Sequence, residues 1–106
     1  MILGIAHSIN AVPIRLTDER WEHILFRRPE MASFIETVLD GVEDPEYILR
    51  GYKGTLIAVV HLGERSYLNV VYRELSQQDG FIITARIQPQ LDKSKIIWRR
   101  DNLNRL

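Results

Sequence analysis

The chain has no cysteine among its 106 residues. A disulfide framework, a zinc–thiolate centre and a thiol nucleophile are therefore excluded, and a reducing, cytoplasmic setting is the expectation. Long hydrophobic runs are also missing, and nothing approaches the roughly 20 apolar residues of a membrane span. From Met1 to Ile14 there is no basic region ahead of an apolar stretch, and His7, Ser8 and Asn10 interrupt what apolar pattern exists. No membrane partner is expected. Neither sign of charge is in excess: 14 basic residues balance 14 acidic ones. That balance argues against coating of nucleic acid by bulk charge, which needs many phosphate contacts from one basic surface. The six glycines form neither a phosphate loop nor a dinucleotide fingerprint, and no serine stands in a nucleophile elbow. His7, His23 and His61 lack metal-ligand spacing, so no metal and no other cofactor is expected.

What is present suits one domain over residues 1–106, with a core over about 12–99 and a tail, 101–106, expected to fray. Apolar content of 45% and charged content of 26% are ordinary for a globular protein. The charges are unevenly placed. Glu36, Asp40, Glu43, Asp44 and Glu46 make an acidic middle, whereas Arg15, Arg20, Arg27 and Arg28 mark the first helical segment. A local cationic site on a neutral protein is thus allowed.

The richest stretch runs from Thr17 to Glu30. Thr17 is a suitable N-cap, Asp18 and Glu19 favour the positive end of the helix dipole, and Pro29 biases Arg28 away from helical angles. At about 100° per residue, Trp21, Ile24 and Leu25 share one arc, while Glu19, Arg20, His23 and Arg27 share another. His23 can therefore converge with Arg20 and Arg27 on one point. A titratable imidazole between two permanent cations suits an anion such as a phosphate.

Before that helix, Val12 to Leu16 reads as an edge strand, because Pro13 lacks an amide donor. After it, Met31, Phe34, Ile35, Val38, Leu39 and Val42 give the clearest helical periodicity in the chain. Asp44-Pro45 reads as the start of a short helical turn through Leu49. The period then changes to two: Thr55 to Leu62, Tyr67 to Leu75 and Phe81 to Gln88 read as strands, with a short one at Ile96 to Arg99. Helices followed by strands predict an α+β fold, two N-terminal helices on one face of a four-stranded antiparallel sheet, the other face being open. Strand parity puts Phe81, Ile83, Ala85 and Ile87 on the core side and Ile82, Thr84, Arg86 and Gln88 outward. Asn69, Val71 and Arg73 join that outward row if the hairpin closes around Gln77 and Gln78.

The run Leu16 to Ile24 with Arg27 to Glu30, the run Tyr67 to Arg73, the run Asp79 to Ala85, and Ile96-Ile97-Trp98 together resemble small phage and prokaryotic proteins of the barnase, EndoU, colicin and RelE nuclease group. The resemblance covers residues 14–98 through the order and spacing of its parts. It implies a barnase/RelE-like sheet, metal-independent RNA cleavage, and often the role of a toxin beside a small antitoxin. The group's helix histidine falls on His23, its next basic position on Arg27 and its outward threonine on Thr84. Two positions depart from the group's pattern: Arg28-Pro29-Glu30 stands where many relatives have His-Pro-Glu, and Arg86 where many have an aromatic residue.

Cleavage without a metal needs a base for the 2′-hydroxyl proton, cations for the charged phosphorane and an acid for the leaving 5′-oxygen. Histidine suits the proton steps and arginine the electrostatic one. His23 is expected to carry proton transfer, and Arg27 and Thr84 to complete the catalytic set. Arg20, Arg28, Arg73 and Arg86 are expected to bind RNA phosphate. A catalytically silent RNA- or protein-binding module on the same scaffold is the alternative, since Arg28 replaces an acid/base group. An interaction module unrelated to nucleic acid is a third reading.

Overall fold

The first strand starts from an alternation of small and large residues. In β1, Ile2–His7, Ala6 is buried and a side chain at Gly4 would collide with Leu39, whereas Leu3, Ile5 and His7 are exposed. β1 pairs antiparallel with β2, Pro13–Thr17. Helix α1 covers Asp18–Arg27, a 3-10 turn covers Pro29–Ser33, and helix α2 covers Ile35–Glu43. Five strands follow: β3, Tyr47–Arg50; β4, Leu56–Gly63; β5, Ser66–Ser76; β6, Asp79–Gln88; and β7, Ile96–Arg99. This computed structural model describes residues 1–101, so residues 102–106 of the tail expected to fray lie outside the described residues. No helix among the described residues is long and apolar enough to cross a membrane.

The sheet overturns the expected architecture. Among the described residues it has seven strands in the order β1-β2-β6-β5-β4-β3-β7, and it is mixed, because β2 runs parallel to β6. Four antiparallel strands after two N-terminal helices is therefore incorrect: two strands precede the helices, and a third follows them directly. Each departure has a physical source. β1 escaped a pattern of apolar alternation because its inward positions are Gly4 and Ala6, kept small beneath α2. β2 is not an edge strand. It is flanked by β1 and β6, and Pro13 is tolerated because it is the first residue of the strand. Tyr47–Arg50 is a strand rather than a helical turn, since it gains ladders to β4 and β7 on both sides.

The helices cover one face. Trp21 and Ile24 of α1 and Met31, Val38 and Val42 of the α2 segment form a core with Ile14, Leu16, Leu68, Val70, Tyr72, Ile82 and Ala85. The opposite face is not open either. β6 and β7 run parallel on either side of β5, β4 and β3, so the connection between them, residues 89–95, must cross the sheet. Four strand spacings are about 19 Å, and seven residues reach at most about 25 Å. The connection therefore has little slack, and it ends in a 3-10 turn at Lys93–Lys95. On the face away from the helices Val59 (0% exposed), Leu49 (3%) and Asn69 (5%) are buried, and none of them belongs to the helix-side core.

Strand parity holds along half of β6 and fails along the other half. Val71 pairs with Thr84, but Tyr72 pairs with Ile82, leaving Ile83 as an extra residue. This bulge flips the pleat. Ala85 is buried and Ile87 packs against the core as expected, yet Ile82 is buried there in place of Phe81 and Ile83. Phe81 instead lies beneath the Arg15 guanidinium, 5.9 Å from its ring centre.

Candidate functional site

α1 begins where β2 ends, and that junction makes the groove. Thr17 is extended at φ −94° and ψ 156°, and its hydroxyl accepts the Arg20 amide hydrogen at 3.2 Å. The cap satisfies one of the free amides of the first turn, and Asp18 and Glu19 lie at the positive end of the dipole. Trp21 and Ile24 bury the inner side of the helix. Its last residue is followed by Arg28, at φ −137° and ψ 75°, whose amide closes on the Ile24 carbonyl at 2.8 Å. Pro29 excludes a further helical turn in this direction.

β2 pairs with β6 only at Ile14–Gly80 and Arg15–Phe81 before the chain leaves the sheet for α1. Among the described residues β6 has no strand partner on that side from Ile82 onward, and α1 runs past this edge. The space between them is a groove of about 410 Å³ lined by Arg20, His23, Ile24, Arg27, Arg28, Ile83 and Thr84. Ile24, 2% exposed, provides an apolar floor. His23 and Arg27 are exposed, and Arg20 and Arg28 are half-buried. None of these four side chains forms an ion pair or hydrogen bond among the described residues. Three uncompensated guanidinium groups and one imidazole thus share a concave site with a hydroxyl, on a chain whose net charge is zero. Such an arrangement attracts an anion with several oxygens.

Five of the seven residues expected from sequence therefore meet in one groove: Arg20, His23, Arg27, Arg28 and Thr84. Arg73 and Arg86 do not line it. Arg73 lies across the ladder from Phe81, and its guanidinium donates to the Lys53 carbonyl at 2.9 Å. It braces the turn in which Lys53 and Gly54 take left-handed angles, φ 51° and 81°. Arg86 lies opposite Asn69 on the face away from the helices. Its Nε and the Asn69 Oδ1 are buried without a partner among the described residues, while the Asn69 amide donates to Gln88 at 2.6 Å. Parity puts both arginines on the outward row with Thr84, but of the three only Thr84 lines the groove.

Two features were not legible in the sequence. Ile83 enters the groove only because of the bulge, and no residue type announces it. The β1–β2 connection docks on β5: the Ser8 hydroxyl donates to Glu74 at 2.5 Å and the Asn10 amide at 3.0 Å. His7 lies in β1, its amide bound to Glu43 at 2.7 Å, and His61 stacks on Tyr67 at 4.6 Å. No cluster of three or more histidine, aspartate or glutamate residues able to hold a metal occurs among the described residues. Comparison with protein-family models, with characterised proteins and with solved structures gives no match to this chain.

Proposed function

We propose that the groove between α1 and β6 is the active site of a metal-independent endoribonuclease, acting as the toxin of a toxin–antitoxin pair. The observation that carries this reading is the convergence of His23 with Arg20, Arg27, Arg28 and Thr84 around one concave space. In the proposed reaction the 2′-hydroxyl attacks the adjacent phosphorus and His23 takes its proton. The P–O5′ bond breaks, leaving a 2′,3′-cyclic phosphate and a 5′-hydroxyl. The arginines stabilise the charge that develops on the phosphorane oxygens, and Thr84 donates a hydrogen bond to one of them. Protonation of the 5′-oxygen falls to the imidazolium just formed or to water, since among the described residues the groove is lined by a single histidine and no carboxylate. The resemblance to the barnase–EndoU–colicin–RelE group supports the same chemistry, and a small acidic antitoxin would neutralise the three free cations by covering them.

That single proton-transfer group also favours a second reading, a silent RNA-binding module in which Arg28 has replaced the acid/base residue. One experiment separates the two. End-labelled RNA is incubated with the protein at low salt in the presence of chelator. Fragments ending in cyclic phosphate, lost in His23→Ala, support the enzyme. Retention without fragments supports the binder, and salt-independent indifference to RNA removes both.

A further inference from the structure

Phe26 is 89% exposed on α1, beside the groove but outside it. With Glu19, Glu22 and His23 it lines a second, shallow depression on the solvent side of the helix. His23 borders both spaces, so the imidazole is the ridge between them. Helical spacing accounts for this grouping: Phe26 follows Glu22 by four residues and His23 by three, and His23 follows Glu19 by four. The exposed ring contributes nothing to the core, for which α1 uses Trp21 and Ile24.

The helix therefore sorts its charges about His23. Arg20, Arg27 and Arg28 face β6, whereas Glu19 and Glu22 flank Phe26. A phosphate is drawn to the first set and repelled by the second. A neutral base is not repelled, and its amino groups can donate to carboxylates. Phenylalanine has no polar tip; it offers a flat face on which any unstacked base can lie.

We infer that Phe26 is a base-stacking subsite. A nucleotide whose phosphate sits among the groove arginines passes over His23 and lays its base on the Phe26 ring. The ligand is then single-stranded RNA, because a paired and stacked duplex cannot offer a base face to the ring. This inference rests on the nucleic-acid reading of the groove.

The test uses the full chain with a labelled 2′-O-methyl octanucleotide, which cannot form the cyclic phosphate, and with a duplex of equal length. Affinity is read by fluorescence anisotropy. Phe26→Ala is expected to weaken single-strand binding by about 5- to 160-fold, the effect of one lost stacking contact, with duplex binding and thermal midpoint unchanged. Phe26→Trp is expected to restore affinity and to show indole quenching when the oligonucleotide is added. Unchanged single-strand affinity in Phe26→Ala overturns the subsite while leaving the groove reading intact. Duplex binding as tight as single-strand binding overturns the single-strand assignment. Failure of the unaltered protein to bind any RNA overturns both the subsite and the groove reading.

Discussion

Val71 faces Thr84 across the β5–β6 ladder, and the next residue along, Tyr72, faces Ile82 rather than Ile83. One unpaired residue thus reverses the pleat of β6 and brings Ile83 to the groove beside Thr84. The core side of the strand changes with it, which gives a direct test by substitution. Ile82, 1% exposed, should cost about 2–4 kcal/mol when changed to alanine. Phe81 loses only its contact with Arg15 and partial burial, so Phe81→Ala should cost about 1 kcal/mol. Urea unfolding followed by circular dichroism measures both. The reverse ranking would mean that β6 is regular and that Thr84 is not held at the groove by a bulge.

Tyr72 gives a pH-dependent prediction. It is fully buried, its hydroxyl has no partner among the described residues, and burial followed by the nearby Glu74 charge raises its pKa well above the ordinary 10.0. With a folded-state pKa above the unfolded one, this group leaves stability independent of pH below pH 10 and lowers it as pH rises from 10 toward the folded value. Above pH 10 the protein should therefore lose up to about 1.4 kcal/mol per pH unit through this group. Tyr72→Phe should remove that alkaline slope. It should also raise stability at neutral pH by about 1 kcal/mol, because the unpaired hydroxyl is gone. Denaturant midpoints at pH 7, 10 and 11 for the two proteins provide the check.

The elements legible in the sequence are those whose signals are local. Thr17, Pro29 and the spacing from Asp18 to Arg28 specify α1, and its bounds follow within a residue or two. Because Arg20, His23, Arg27 and Arg28 ride on that one helix, most of the groove could be read before any packing was known. The remainder depends on long-range pairing. β1 hides behind Gly4 and Ala6, whose small size reflects α2 lying over them, not strand propensity. Tyr47–Arg50 is a strand because β4 and β7 lie on either side of it, a fact absent from the local residues. The crossing between β6 and β7 follows from the placement of β7 beyond β3, and Arg86, two residues from Thr84, lies opposite Asn69 with its Nε buried and does not line the groove.

The cap on α1 links stability to the site. Thr17→Ala removes the hydroxyl that accepts from the Arg20 amide, at a cost of about 1 kcal/mol. The first turn then frays, and it carries Arg20 and lies one turn from His23. On the proposed reading, RNA affinity should fall together with the unfolding midpoint, and Thr17→Ser should restore both to near the original values. Restored stability without restored affinity would show that Thr17 influences the groove by some route other than the cap.

On the proposed nucleic-acid reading, the salt dependence of affinity counts the cations that touch phosphate. Each phosphate neutralised on a single strand contributes about 0.7 to the slope of log affinity against log salt. Arg27 lines the groove and has no ion-pair partner among the described residues, so Arg27→Ala should reduce that slope by about 0.7 and weaken binding across all sequences alike. Arg73 is equally cationic, but its guanidinium is bound to the Lys53 carbonyl away from the groove. Arg73→Ala should leave the slope unchanged while lowering stability, because the left-handed pair Lys53 and Gly54 loses its brace. Anisotropy titrations between 25 and about 200 mM salt resolve a change of this size. Equal slopes for the two variants would place the phosphate contacts elsewhere on the molecule, and with them the site of any cleavage.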